Sequence, residues 1–158
     1  MNAGTHQGVK APRTTRHLEQ LQALVRGEAP EPPIATLIGF KVVEIALGHS
    51  VGAMHAGQRH ANPMGTLHGG VVGDLSDAAM GTAMATTLED DESFTTLDLN
   101  VKFFKPIWES DLRATAQVVK RTRTLGLIEC EVVDEAGSLV AKCFSTCMVL
   151  RGQEARGR

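Results

Sequence analysis

VVGDLSDAAMGTAMATTL, residues 71–88, is long, mostly small and apolar, and free of proline. It reads as a helix buried on most of its sides. A helical glycine costs roughly 1 kcal/mol relative to alanine. Gly73 and Gly81 within one helix therefore imply a packing reason, and with Ala78, Ala79 and Ala83 they let neighbouring backbones come close. C-terminal to this helix, EDDES (89–93) is a charged turn, and everything beyond it reads as strand. In TTLDLNVKFF (95–104), Leu97, Leu99, Val101 and Phe103 alternate with Thr96, Asp98, Asn100 and Lys102, the clearest period-two pattern in the chain. Lys105-Pro106 closes that strand. Strands over 111–121, 125–134 and 138–150 follow, the last two joined by the Gly-containing turn DEAGS.

N-terminal to the helix, LHGG (67–70) is preceded by the polar loop GQRHANPMGT (57–66), with turn signals at Asn62-Pro63 and Gly65. Before it, 39–46 and 50–56 read as a hairpin about Gly48. Leu18, Leu21, Leu24 and Val25 fall at helical spacing over 15–26, with Thr14 or Thr15 as cap. APEPPIA (29–35) ends that helix. Residues 1–14 read as a flexible arm, 15–150 as one domain and 151–158 as a frayed charged tail. Strands joined by short turns form an antiparallel sheet. A single apolar helix is buried only if that sheet curves around it. The predicted fold is thus α+β: five to six curved antiparallel strands wrapped around one long helix, with a further N-terminal helix. Its edge strands invite cover by a partner chain.

The bulk numbers fit this. A chain of 158 residues with 42% hydrophobic content supports one cored domain, and a net charge of -2 argues against a nucleic-acid partner. No apolar run approaches the ~20 residues a membrane span needs, and the N-terminus lacks a signal-peptide core, so a cytoplasmic protein is expected. Cys130, Cys143 and Cys147 are odd in number and lack a C-x-x-C spacing, so they read as buried small hydrophobes. His55, His60 and His68 lack ligand spacing, and no metal is expected. Aromatic content of 4%, without tyrosine, gives no strong hint of an aromatic ligand.

Chemistry concentrates where the polar loop meets the helix. Asp74 and Asp77 interrupt an apolar helix, and a carboxylate in a dry interior needs compensation. His68-Gly69-Gly70 stands at the helix start, where free N–H groups and the helix dipole favour developing negative charge. That suits an oxyanion formed from a thioester carbonyl. Asp77 lies two turns into the helix, roughly 10 Å from its tip. A site shared across a homodimer, or a dimer-of-dimers tetramer, is therefore expected, with one protomer's acid beside the other's helix tip.

N-P-x-G-x-x-H-G-G (Asn62 to Gly70) followed by Asp77 resembles the hotdog thioesterases of the phenylacetic-acid-degradation (PaaI-like) and thioesterase superfamily member 2 type. T-x-D-x-N-x-x-F-F-x-P (Thr96 to Pro106) and D-E-A-G-S-L-V-A (134–141) strengthen the likeness, which spans about 36–150. The resemblance implies a hotdog domain that hydrolyses an acyl-CoA to free acid and CoA with no cofactor. It implies Asp77 as general base or nucleophile, and the Gly69 N–H as the donor to the carbonyl. It further implies His68 as the histidine beside that glycine, Asn62 as a group positioning water or thiolate, and Thr96 as a holder of the attacking water. Each has a plainer reading: His68 as a structural histidine, Asn62 as a turn former, Thr96 as a cross-strand partner. Gly70 belongs to the same substrate-facing tip. Lys120, Arg121 and Arg123 form a small basic group suited to CoA phosphates, or, more plainly, a solvated strand end. Two other readings stand beside hydrolysis: a non-catalytic acyl-CoA-binding hotdog protein, and a 3-hydroxyacyl-thioester dehydratase, whose usual H-F-P-G signature is absent.

Overall fold

Helix α3 (Gly69–Ala85) is the axis of the structure, a computed structural model that describes residues 15–156. Before it come α1 (Arg16–Val25), α2 (Pro33–Ile38), β1 (Phe40–Ala46) and β2 (His49–Ala56). After it come β3 (Glu92–Phe103), β4 (Ser110–Arg121), β5 (Leu125–Val133) and β6 (Leu139–Arg151). The proposed arm, residues 1–14, and the last two residues of the proposed tail lie outside the described residues. The described part of that tail continues β6 through Arg151 and makes a 3-10 turn at Gly152–Ala155.

The six strands form one antiparallel sheet in the order β1-β2-β4-β5-β6-β3. It curves around α3, which buries Val72, Leu75, Ser76, Ala79, Met80, Ala83 and Met84 against it. These positions follow the i, i+3, i+4 rule, so they share one broad face. Facing them are alternate residues of the middle strands: Leu112, Ala114 and Ala116 on β4, Ile128, Cys130 and Val132 on β5. Each large side chain such as Leu75 or Met80 contributes about 1.5–3 kcal/mol by leaving water. Small residues let helix and sheet approach. A Cβ on Gly52 would stand 3.1 Å from the Leu75 side chain, and one on Gly126 would collide with Met84. Ser50 Oγ donates to the Ala79 carbonyl at 2.6 Å, so the hydroxyl facing the helix is satisfied.

The helices depart from the sequence-based picture in two ways. The prolines that end the first helix also begin another: Pro33 occupies the first position of α2, where its missing N–H and fixed φ suit helix entry, and Gly39 (φ 91°) closes it. The helix is also open on one side. Asp74 and Asp77 are exposed, and Ala78, Gly81 and Thr82 are half-buried, along a strip that the sheet does not reach. That strip lies between the two edge strands, β1 and β3. Helix α1 covers its C-terminal half. Thr15 caps α1 by accepting from the Leu18 N–H, and the Arg16 N–H donates to Asp90 at 2.8 Å.

The period-two reading of β3 is modified by a bulge between Thr96 and Asp98. Phe94 and Thr96 pair with Val149 and Cys147, whereas Leu99, Val101 and Phe103 pair with Ser145, Cys143 and Ala141. Paired residues share a face, so both groups point toward α3 and Leu97 is the extra residue. Asp98 stabilises the bulge by accepting from the Thr146 N–H at 3.2 Å, while Ser145 Oγ donates to its carbonyl at 2.9 Å. The apolar face of β3 is nonetheless open: Phe103 is 55% exposed, because no element among the described residues covers the N-terminal half of the strip.

Candidate active site

The loop before α3 is built on Asn62. Its Oδ1 accepts from the N–H groups of Met64 (2.9 Å) and Thr66 (3.3 Å), and its Nδ2 donates to Thr66 Oγ1 at 2.8 Å. The side chain is thus committed to the turn that returns the chain to Leu67. His68 follows as the N-cap of α3, its Nδ1 accepting from the Gly70 N–H at 2.9 Å. This separates the two glycines. The Gly70 amide is occupied by the ring, whereas among the described residues nothing accepts from the Gly69 N–H. Phe103 lies over Gly69 so closely that a Cβ there would be 2.9 Å from its ring.

Asp77 lies eight residues along the helix, about 12 Å from Gly69. It reaches solvent along the open strip, yet protein crowds it on the other side. Burial, reinforced by the Asp74 carboxylate one turn away, pushes its carboxyl above the ordinary range for an aspartate. The bulge brings Thr96 to the same region, with its Oγ1 3.9 Å from Cys147 Sγ. Burial raises the Cys147 thiol, and the neighbouring Asp77 and Asp98 add to the effect. Cys130 is pushed up to about 12 by burial, then by Cys143. All three cysteines are buried and free, and their thiols stay protonated.

Two hollows meet at Asp77. One is a cavity of about 580 Å³ beneath α1, lined by Leu21, Leu24, Phe40, Ala78, Gly81 and Phe94 among others, with Asp77 and Thr96 in its wall. The other is an open trough of about 530 Å³ that runs from Asp77 past Asp74 and Gly73 to Gly69 and Gly70. Its opposite wall is the uncovered face of β3, at Leu99, Val101 and Phe103. Asp77 is the residue common to both linings. The trough therefore links the raised carboxylate to the free amide.

The basic group is not part of this arrangement. Arg121 donates to Glu92 at 2.7 Å and is only 20% exposed, so its charge is used inside the fold. Glu92, 7% exposed, also pairs with Arg151 and accepts from the Glu89 N–H. Lys120 and Arg123 are exposed, but they flank Gly126, which packs on Met84 at the C-terminal end of α3. That end lies roughly 25 Å from the helix tip.

Residues 64–141 match the thioesterase superfamily. Human acyl-coenzyme A thioesterase 13 is 30% identical over 103 residues, which cover 64% of this chain and 73% of that protein. The chain belongs to the thioesterase superfamily. This thioesterase also resembles the solved phenylacetic acid degradation-related protein of Ralstonia eutropha, with a TM-score of 0.74 and 32% identity over 81% of this chain and 98% of the other. Similarity extends to the 1,4-dihydroxy-2-naphthoyl-CoA hydrolase of Listeria monocytogenes, 27% identical over 112 residues, 71% of this chain and 89% of that one. The fold is a hotdog, as the sequence motifs implied, and the protein is an enzyme, a thioester hydrolase. Among the described residues, no helix of this thioesterase is long and apolar enough to cross a membrane. The α1 cavity and the packing of Phe103 on Gly69 were not read from the sequence. The stripe of Leu18, Leu21, Leu24 and Val25 announces a helix but not what lies beneath it. Phe103 was visible only as one member of an alternating strand.

Proposed function

We propose that this thioesterase hydrolyses an acyl-CoA to the free acid and coenzyme A in a homodimer. Asp77 of one protomer faces the Gly69 N–H of the other. The observation that carries this is the position of Asp77 at the junction of an apolar cavity and an open trough leading to an unoccupied amide. The cavity takes the acyl group and the trough takes the thioester. A carboxyl raised above its ordinary range is a better base near neutral pH, so Asp77 acts as general base. It takes a proton from water as the water oxygen bonds to the carbonyl carbon. The resulting oxyanion is stabilised by the Gly69 N–H at the positive end of the helix. Collapse breaks the C–S bond, coenzyme A leaves as a thiolate, and the proton on Asp77 returns to solvent. Thr96 holds the water beside Asp77. His68 orients the tip as its N-cap, Gly70 completes that tip, and Asn62 fixes the loop that delivers it.

The shared site is supported by distance and by exposure. About 12 Å of helix separates Asp77 from its own Gly69, too far for both to touch one carbonyl. The open edge of β3 and its exposed Leu99 and Phe103 form a self-complementary surface for a second copy. Mixing protomers tests this. Asp77→Asn and Gly69→Pro chains, each inactive alone, would regain about a quarter of wild-type turnover when refolded together, since half the dimers are mixed and each has one intact site of two. Absence of any recovery in verified mixed dimers would reject the shared site. Release of thiol from acyl-CoA measures the reaction itself.

A further inference from the structure

We infer that the cavity roofed by α1 receives an unbranched hydrocarbon acyl tail, and that Leu21, Leu24 and Ala78 determine how long a tail the enzyme accepts. This rests on Asp77 as the catalytic carboxylate, because Asp77 and Thr96 lie in the cavity wall at its junction with the trough. Away from that junction the wall is apolar: Leu21, Leu24 and Val25 above, Ile34 and Phe40 to one side, Phe94 to the other. The remaining polar side chains are Thr82 and the ion pair Glu31–Lys41, whose partners lie 3.2 Å apart and satisfy each other at the exposed rim. A hydroxylated ring would bring groups that this lining leaves without partners, and an unpaired polar group is strongly disfavoured in such a place. A hydrocarbon tail brings none.

The floor and roof differ in character. Ala78 and Gly81, on the strip of α3 that the sheet does not reach, are small, so they set the depth. The roof is amphipathic, and none of its residues is buried. It is held at its start by the Arg16 N–H on Asp90 and by His17 Nε2, 3.0 Å from the Glu92 carbonyl oxygen. Its apolar side chains are half-covered where they line the cavity, and a tail lying under them would bury both surfaces. A volume of about 580 Å³ lies within the range of small-molecule sites, roughly 300–1,000 Å³.

The experiment is a chain-length profile of the full-length enzyme, with straight acyl-CoAs from acetyl to palmitoyl and with phenylacetyl-CoA, by thiol release. In the wild type, kcat/KM should rise roughly fourfold for each methylene buried and then level off. Ala78→Leu raises the floor with a residue that favours helix. Leu24→Ser makes the roof polar at a position outside the buried core. Melting curves verify that each variant is folded. The ratio of decanoyl- to butanoyl-CoA kcat/KM should fall about tenfold or more in Ala78→Leu and several-fold in Leu24→Ser, chiefly through KM in the latter. If the wild type hydrolyses acyl-CoAs but the ratio stays within about twofold in both folded variants, or phenylacetyl-CoA outpaces every straight chain, the inference is wrong and the proposed reaction stands. If no acyl-CoA is hydrolysed, the proposed reaction fails and the inference goes with it.

Discussion

Gly69→Pro removes one hydrogen-bond donor and adds a contact with Phe103. Gly69 is the first residue of α3, a position whose N–H has no partner within a helix and whose geometry suits proline. The residue before it, His68, is already extended (φ -66°, ψ 131°), the conformation that a following proline demands. The cap from the Gly70 N–H to His68 is untouched. The new ring meets Phe103, a contact that any Cβ at this position would make. Gly69→Ala is the matched control: it makes the same contact with Phe103 and keeps the N–H. If the Gly69 amide stabilises the oxyanion, its loss should lower kcat by about 10²–10³, or roughly 2.7–4 kcal/mol. The alanine variant should lose far less. Thiol-release kinetics on both variants, with circular dichroism to verify the helix, give the comparison. Equal kcat for Gly69→Pro and Gly69→Ala would refute the role of this amide, because the contact with Phe103 is common to both.

Two other outcomes concern ionisation. The Asp77 carboxyl is raised in the fold by burial and by Asp74, so its contribution to stability is present at low pH and lost as pH rises through the folded value. Asp77→Asn should therefore abolish most turnover yet melt higher than the wild type at neutral pH. The gap should close as pH falls below the ordinary aspartate range, and a variant that melts lower at pH 7 would contradict the crowding of this group. In the wild type, kcat/KM should climb along a limb set above that ordinary range. At Glu92, burial works against ionisation, but the Glu89 N–H and the Arg151 and Arg121 guanidinium groups outweigh it and hold the carboxyl low. Its contribution is present above the ordinary carboxylate range and fades as pH drops through the folded value. Glu92→Gln leaves Arg121 without its counter-charge and should cost about 3–5 kcal/mol of stability in denaturant titration.

The long helix, the strands and the wrapping of one by the other were legible because each has its own hydrophobic period and only one arrangement buries residues 71–88. Asp77 and the glycines stood out in the sequence because those residue types are costly where they stand, and the structure places Asp77 and both glycines along one trough. What escaped depends on contacts distant in sequence. Arg121 looks like any exposed cation until the fold brings it to Glu92, 29 residues away. The two glycines look equivalent until the His68 ring accepts from one amide and leaves the other. The bulge at Thr96–Asp98 has no local signature in an unbroken alternation, yet it turns both Thr96 and Leu99 inward. Proline spacing marked the end of α1 and concealed the start of α2, because proline disfavours a helix before it and favours one after it.

The roof of the cavity comes from residues 16–43 and the reacting groups from residues 68–96, joined mainly through the C-terminal half of one helix. The cavity thus draws its roof and its floor from separate stretches of one gene. If the proposed reaction holds, mutation in the first ten-residue helix would reshape the roof without touching Asp77 or Gly69, so a lineage carrying this scaffold could change its diet without relearning its chemistry.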